Sequence, residues 1–169
     1  MKYWIISDPH FGHDALVKGG YRPEGHEKLI LQNIYDLVQD TDILICLGDV
    51  AFYKKEYWHK RLMQLGPYNK ILVKGNHDRE TTSWYYKQGW DFVCDSFDLN
   101  IYGKEIHFSH YPIPIGRLSE NLNIHGHLHD NPDRIETYRG MRSGVFKRHY
   151  LVKMEHNYKP VELKKLVGM

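Results

Sequence analysis

The chain of 169 residues is 41% hydrophobic and 26% charged, and its formal net charge at pH 7 is +2. A chain of this length buries more than half of the surface that its unfolded form exposes, so we expect one domain over residues 1–169. The small charge does not by itself indicate nucleic-acid binding, no apolar run approaches the roughly 18 residues of a membrane span, and the apolar stretch 3–6 is too short for a signal peptide, so we expect a cytoplasmic protein without a membrane partner.

The first half of the chain alternates between strand and helix patterns. Runs rich in β-branched and aromatic residues predict three strands, and apolar spacing along one face predicts two helices between them. In chain order these elements are strand 2–6, helix 27–39, strand 42–47, helix 55–65 and strand 70–74. This order is typical of right-handed βαβ units and a largely parallel sheet.

The second half has a different character. Runs 98–102 and 105–109 are separated by a turn that contains Gly103, which predicts an antiparallel hairpin. Further strand patterns occur at 122–126 and 149–155. The residues alone therefore predict a mixed α/β domain.

Two cysteines are present, Cys46 and Cys94, far apart and without CxxC spacing. Both fall in or beside apolar stretches. This pattern favours two reduced, buried thiols over a disulfide or a thiolate metal site.

Polar side chains follow the predicted strands at the point where each strand ends. The sequences are SDPH (7–10), GDV (48–50), GNHD (75–78), SH (109–110) and HGHLH (125–129). Ligands of α/β sheets collect beyond the carboxyl ends of the strands, where the loops converge. Five such ends would assemble oxygen and nitrogen ligands without a thiolate, which suits a pair of divalent first-row metals.

The ordered set DxH, GD, GNH, H and GHxH resembles the calcineurin-like metallophosphoesterase family, in particular its small bacterial or phage-type members. The resemblance runs from Ser7 to Asp130. It implies a two-sheet β-sandwich flanked by helices, two metals that share Asp49, and a catalytic imidazole on His77. By motif position, the first metal would be held by Asp8, His10, Asp49 and His129, and the second by Asp49, Asn76, His110 and His127.

The resemblance also implies the reaction, which is hydrolysis of a phosphoric ester by a hydroxide that the two metals share. His77 would stabilise the developing charge and protonate the leaving oxygen. The small chain leaves little room for a cap over the site, which favours phosphodiesters, with nucleic acids and nucleotides among the candidate substrates. A phosphomonoesterase, a nucleic-acid-binding module and a structural metal protein remain alternatives.

The expected metals are two divalent ions, and the resemblance favours Mn²⁺. The ligand types are equally compatible with Fe, Zn²⁺ or Ni²⁺. Two divalent ions, the carboxylates of Asp8 and Asp49 and one hydroxide leave a single positive charge for a phosphate. Asn76 fits this count as a neutral ligand, and we interpret Gly75 as the residue that allows a sharp turn before it.

The chain departs from the protein-phosphatase branch of the family. That branch has GDxxDRG and GNHE, whereas this chain has GDVAFYK and GNHD. Phe52 replaces the aspartate that orients the catalytic histidine, and Tyr53 replaces a phosphate-binding arginine. Protein dephosphorylation is therefore disfavoured, and the partner of His77 stays open, with the adjacent Asp78 as one candidate.

Several further residues have two interpretations. His107 competes with His110, although strand alternation places them on opposite faces. His125 is interpreted as packed or supporting, and His13 either contacts substrate or makes a loop hydrogen bond. The remaining positions are Arg22 and Arg79 as phosphate contacts, the basic stretch 139–148 as a solvated loop or a phosphate-binding segment, and His26, His59, His149 and His156 as surface or helix positions.

Overall fold

Two β-sheets with a shared core form the centre of the computed structural model, which describes residues 1–113, 122–133 and 148–168. Helices cover the outer face of the first sheet. This is the two-sheet α/β sandwich that the resemblance implied. Most of the basic stretch 139–148 lies outside the described residues.

The first sheet has five strands in the order β4-β3-β2-β1-β9. Strands β1 to β4 pair in parallel, and β9 pairs antiparallel to β1. Their bounds are Tyr3–Ile6 for β1, Ile43–Cys46 for β2, Asn69–Val73 for β3, Phe92–Cys94 for β4 and Val161–Glu162 for β9. The predicted parallel βαβ opening is confirmed, whereas β4 and β9 are too short to produce a pattern in the sequence.

The second sheet has four strands in the order β5-β6-β7-β8. The bounds are Ser96–Ile101 for β5, Lys104–Ser109 for β6, Leu122–His125 for β7 and His149–Leu151 for β8. Strands β5 and β6 form the predicted antiparallel hairpin, and β7 and β8 add in parallel. The predicted strand 149–155 ends at Leu151, because a short 3₁₀ helix follows at Met154–His156.

Five α-helices are described: α1 at Asp14–Lys18, α2 at His26–Leu37, α3 at Lys55–Met63, α4 at Thr82–Gln88 and α5 at Leu163–Leu166. The two longest, α2 and α3, are the two predicted ones. Helix α4 begins where the Thr81 side chain accepts a hydrogen bond from the Trp84 N–H, and ends at the left-handed Gly89. None of the helices in the described part of the chain has the length and apolarity that a bilayer crossing requires.

Strand alternation divides the apolar residues between two cores. In β2, Ile43 and Ile45 face the second sheet, and Leu44 and Cys46 face the helices. Both cysteines are free thiols, and Cys46 is buried whereas Cys94 is half-buried.

Two hydrogen-bonded connections bring the strand ends together at one edge. Beyond β1 and β2 the parallel pairing continues, because the N–H groups of Asp8 and His10 donate to the carbonyls of Gly48 and Asp49. On the second sheet the Gly126 N–H donates to the His110 carbonyl. The polar loops of both sheets therefore meet at the same end of the sandwich.

Candidate metal centre

The carboxylate of Asp8 lies at the middle of the converging loops. Its Oδ2 accepts hydrogen bonds from the Ser7 hydroxyl and from the His127 N–H, at 2.9 Å for the latter. Its Oδ1 is buried without a hydrogen-bond partner among the described residues. The Nε2 atoms of His10 and His129 each lie 3.6 Å from this oxygen. Burial disfavours the charged carboxylate, but the neighbouring imidazoles outweigh it, so the pKa of Asp8 lies well below its usual range.

Asp49 faces the same space from the end of β2. Its Oδ1 accepts the His77 N–H at 2.8 Å. Its Oδ2 lies 3.5 Å from Nε2 of His110 and 3.6 Å from Nε2 of His10. One carboxylate oxygen therefore lies between imidazoles that come from both sheets.

His110 organises the side of the centre next to the second sheet. Its Nδ1 lies 2.7 Å from the Leu47 carbonyl, which directs Nε2 toward the ligands. Nε2 lies 3.1 Å from Asn76 Oδ1 and 3.2 Å from His127 Nδ1. These three side chains and Asp49 thus converge from four separate loops.

The residues present fit divalent cations. Asp8 Oδ1 and both ring nitrogens of His10 are buried without hydrogen-bond partners among the described residues, a costly arrangement unless a cation satisfies them. Ligand atoms of Asp8, His10 and His129 lie within 4.8 Å of one another, as do those of Asp8, Asp49 and His110. Carboxylate oxygen, amide oxygen and imidazole nitrogen are the ligands of first-row divalent ions.

Five of these side chains stand on a left-handed backbone. Non-glycine residues rarely adopt positive φ, and each such residue costs about 1–3 kcal/mol unless its surroundings hold it. The angles are 54° at Asp8, 49° at His10, 54° at Asp49, 67° at His127 and 52° at His129. Strain concentrated on these positions indicates a site for function rather than ordinary strand ends.

Two glycines allow the loops to approach each other closely. A Cβ at Gly75 would lie 2.2 Å from Asp49 Oδ1, and one at Gly126 would lie 2.4 Å from Asp8 Oδ2. Gly75 does not have the left-handed backbone that favours glycine. The chain does turn there, because the Asp78 N–H donates to the Gly75 carbonyl at 3.2 Å. Glycine is required at this position for the space that the Asp49 carboxylate occupies and not for the turn itself.

Arg22 and Glu155 support the first part of the centre. The Arg22 guanidinium, buried, donates to the carbonyls of Asp8 and Pro9 and to the Glu155 carboxylate. Glu155 also accepts from His129 Nδ1 at 2.9 Å. Burial opposes the charge of Glu155, but His129 and Arg22 lower its pKa to about 2. The predicted phosphate contact of Arg22 was wrong, because its side chain is buried among these partners.

Glu155 was missed by the sequence analysis. It lies on the short 3₁₀ helix that follows β8, far along the chain from every motif. The motifs contain only residues at strand ends, so they carried no signal for it.

Asp78 is not the partner of His77. Its carboxylate accepts the N–H groups of Asp49 at 2.6 Å, Gly75 at 2.9 Å and Val50 at 3.2 Å, which joins the loops after β2 and β3. Burial raises the pKa of Asp78 to about 6, although the hydrogen bond from Gly75 opposes this. The carboxylate nearest to the His77 ring is instead Asp49, whose Oδ2 lies 3.9 Å from Nε2.

His77 lines an open cleft beside the centre. The cleft has a volume of about 750 Å³, and its wall also contains His10, His13, Tyr21 and His129. The Phe52 ring contacts the His77 ring, with 4.8 Å between centroids. Burial lowers the pKa of His77, while the charge of Asp49 opposes this shift.

The other histidines lie outside the centre. His107 contacts Asp98 through Nδ1, on the face opposite to His110. His125 is buried with its Nδ1 3.0 Å from the Gly126 carbonyl, and burial lowers its pKa to about 4. His26 and His59 occupy helices as expected but are buried rather than on the surface.

Comparisons with known proteins agree with this geometry. The family model described as calcineurin-like phosphoesterase matches residues 1–163. An uncharacterized protein of Methanocaldococcus jannaschii, MJ1445, is 31% identical over 122 residues, which cover 65% of this chain and 69% of the relative.

Two solved structures share the fold. A protein of unknown function from Aquifex aeolicus, AQ665, superposes with a TM-score of 0.76 and 26% identity over 98% of this chain and 97% of its own. Yfce, a phosphoesterase from E. coli, superposes with a TM-score of 0.52 and 18% identity over 76% of this chain and 70% of its own. At that identity the second likeness supports the fold alone.

Proposed function

We propose that this protein hydrolyses phosphodiesters at a centre of two divalent cations. The premise is its family: the chain belongs to the calcineurin-like phosphoesterases and is thus a metal-dependent phosphoesterase. The observation that carries the proposal is a group of converging ligand atoms beside an open cleft, several of which are buried polar atoms without hydrogen-bond partners among the described residues. We also propose that residues 1–169 act as one domain, because Val161 and Glu162 of β9 complete the sheet that begins at β1.

We assign Asp8, His10, Asp49 and His129 to the first cation, and Asp49, Asn76, His110 and His127 to the second. The spacing of about 3.5 Å between Asp49 Oδ2 and the imidazoles of His10 and His110 supports a shared carboxylate. Bound there, the cations would supply an activated water and positive charge for the phosphate. Glu155 keeps the His129 proton on Nδ1, so that Nε2 is free to bind metal.

His77 is the proposed acid of the reaction. Its backbone N–H is fixed on Asp49, and its ring lines the cleft with no role in holding the loops together. A neutral or charged imidazole in this position donates a hydrogen bond to a phosphate oxygen, and the charged imidazolium donates a proton to the leaving oxygen. Burial lowers the pKa of His77, and the Asp49 carboxylate, 3.9 Å away, opposes this shift.

The charge of the cleft supports diesters over monoesters. A monoester dianion carries one more negative charge than a diester and needs more cationic partners. The described residues that line the cleft include no lysine or arginine. Three cations of the neighbouring loops have partners elsewhere, since Arg22 binds Glu155, Lys55 binds Glu80 and Arg79 donates to the Asn76 carbonyl. Nucleic acids and cyclic nucleotides are diesters of this class and are proposed as substrates to test first.

The test compares esters on protein of defined metal content. Chelator-stripped protein is reloaded with Mn²⁺, Fe²⁺, Zn²⁺ or Ni²⁺, and hydrolysis of bis-p-nitrophenyl phosphate and p-nitrophenyl phosphate is measured for each ion. We expect two metal equivalents, the highest turnover with Mn²⁺ and a higher kcat/KM for the diester. A higher kcat/KM for the monoester contradicts diester specificity, and bound metal without turnover on either ester indicates a structural metal protein. Nucleic-acid binding that persists after chelation, without turnover, indicates a binding module.

A further inference from the structure

Phe52 lies between two imidazoles at the edge of the cleft. The His13 ring stacks on it with 3.8 Å between centroids and an interplanar angle of 5°. The His77 ring contacts it at 4.8 Å and 52°. His13 and His77 both line the cleft. A non-polar ring therefore holds a second imidazole on the same cavity as the proposed acid.

The backbone positions His13 against Phe52. The loops after β1 and β2 pair beyond the strands, through a bridge between Phe11 and Ala51 and a hydrogen bond of 2.9 Å from the Phe52 N–H to the Phe11 carbonyl. Gly12, at φ +73°, lies so close to the second loop that a Cβ would be 2.8 Å from the Tyr53 carbonyl oxygen. Only glycine fits there, and the close approach places the next residue on the Phe52 ring.

Within residues 1–113, 122–133 and 148–168, no hydrogen bond holds the His13 side chain to the fold. His13 occupies the position before α1, where a side chain usually caps the helix, but it makes no such bond. Its Nδ1 is buried without a partner among the described residues. An imidazole that only filled space would leave this polar atom unsatisfied for no gain, because a phenyl ring would stack equally well. The tautomer with hydrogen on Nε2 presents a donor to the cleft.

We propose that His13 is a catalytic residue that donates a hydrogen bond from Nε2 to an oxygen of the substrate phosphate, and that Phe52 is the positioning residue that holds His13 and His77 in register. This inference rests on the proposed phosphodiesterase function. Phe52 thus orients the histidines by ring packing, at the position where the protein-phosphatase branch has an aspartate that orients its catalytic histidine.

The first experiment separates stacking from hydrogen bonding at position 13. His13→Phe keeps a flat ring on Phe52 and removes the donor, whereas His13→Gln keeps a donor and removes the ring. We expect His13→Phe to keep two metal equivalents and the wild-type Tm, and to lose roughly 10- to 100-fold in kcat/KM on bis-p-nitrophenyl phosphate. Its affinity for inorganic phosphate, by calorimetry on metal-loaded protein, should fall by a similar factor. His13→Gln should recover part of both losses.

Other results overturn the inference. Wild-type kcat/KM and phosphate affinity in His13→Phe contradict the hydrogen bond, and lost metal would make His13 a support for His10 instead. If the wild-type protein loads two metals yet hydrolyses no ester, the proposed function itself fails. The phosphate affinity of the His13 variants then still tests the hydrogen bond from His13, because that measurement does not depend on turnover.

The second experiment addresses Phe52. Phe52→Tyr keeps the ring, and Phe52→Leu removes it at similar volume. We expect Phe52→Leu to shift the ring-proton resonances of His13 and His77 and to lower kcat roughly 10-fold with metal content unchanged, since misplaced groups cost rate more than stability. Phe52→Tyr should restore both readouts. Unchanged resonances and kcat in Phe52→Leu contradict a positioning role.

Discussion

Buried histidines serve opposite purposes in two regions of this protein. In the metal centre, both nitrogens of His10 are buried without partners among the described residues. On α3, facing α4, His59 is equally buried, but its Nδ1 accepts the Trp90 indole N–H at 2.9 Å, and aromatic rings surround it. The difference teaches that burial alone does not identify a functional histidine. What distinguishes His10 is that its unsatisfied Nε2 also lies 3.6 Å from the carboxylates of both Asp8 and Asp49.

Loss of the shared carboxylate is the change with the largest expected effect on the centre. Asp49→Ala should remove both metals and reduce activity to background, because Asp49 Oδ2 lies between the imidazoles of His10 and His110. Metal stoichiometry by atomic emission measures this. His129→Ala is the matched variant, which should mainly weaken the first metal. Two equivalents bound by Asp49→Ala with wild-type affinity would show that the carboxylate is not shared.

Removal of the proposed acid should affect turnover and not metal. His77→Ala is expected to keep both equivalents and to lose roughly 10²- to 10⁴-fold in turnover on alkyl diesters, the usual span for a general acid. The loss should be smaller on p-nitrophenyl diesters, whose leaving group departs without a proton. Steady-state kinetics on the two substrates provide the comparison. Equal losses on both would leave His77 as a stabiliser of charge and not a proton donor.

His59, the structural histidine of this comparison, should make the free energy of unfolding depend on pH. Burial, with a smaller contribution from Lys55, lowers the pKa of His59 from 6.5 to about 4. The unfolded chain therefore binds the proton first, so stability that is complete above pH 6.5 is lost as pH falls toward 4, by about 3 kcal/mol in total. Urea unfolding of metal-free protein between pH 7 and 4 measures the slope.

A substitution isolates this contribution from the other histidines. His59→Asn keeps an acceptor for the Trp90 N–H but does not titrate, so its free energy of unfolding should fall less steeply with acid than that of the wild type. His156→Gln, at an exposed position, is the control and should keep the wild-type slope. If the free energy of unfolding depends on pH with the same slope in the wild type and in His59→Asn, the pKa of His59 is not lowered.

Loss of the carboxylate that supports His129 should have the smallest effect of the four predicted changes. Glu155→Gln removes the charge that fixes the His129 ring and should weaken the first metal roughly 10- to 100-fold, with the second unchanged. Calorimetric titration of stripped protein resolves the two affinities. Glu80→Gln, which disturbs only the pair with the half-buried Lys55, is the matched control. An equal loss of affinity for both metals would indicate that Glu155 stabilises the fold as a whole and not the first metal site.

Much of the fold and of the centre was predictable from local signals. Period-2 apolar runs identified β1, β2, β3 and the hairpin, and helical spacing identified α2 and α3. The candidate ligands follow strands, and the topology that those strands imply brings their ends together. The family was predicted correctly from the ordered motifs, and the two-sheet fold followed from that resemblance, since the residues alone predicted only a mixed α/β domain.

The parts that escaped depend on contacts between distant segments. Glu155 reaches His129 and Arg22 from another part of the chain, and Asp78 binds the loop after β2 rather than its neighbour His77. Phe52 was seen as a missing aspartate, although its packing gives it a role of its own. Side-chain partners of this kind leave no periodic trace in a sequence.

The Arg22 clamp has a consequence for the order in which the protein is made. Arg22 and the loop of Asp8 leave the ribosome early, but their partner Glu155 follows 133 residues after Arg22. Strand β9, which pairs with β1, emerges later still. A growing chain therefore presents Asp8 and His10 without the group that aligns His129. On the proposed ligand assignment, tight binding of the first metal has to wait until the segment that contains Glu155 has been made, and a chain truncated before Glu155 would hold its first ion weakly.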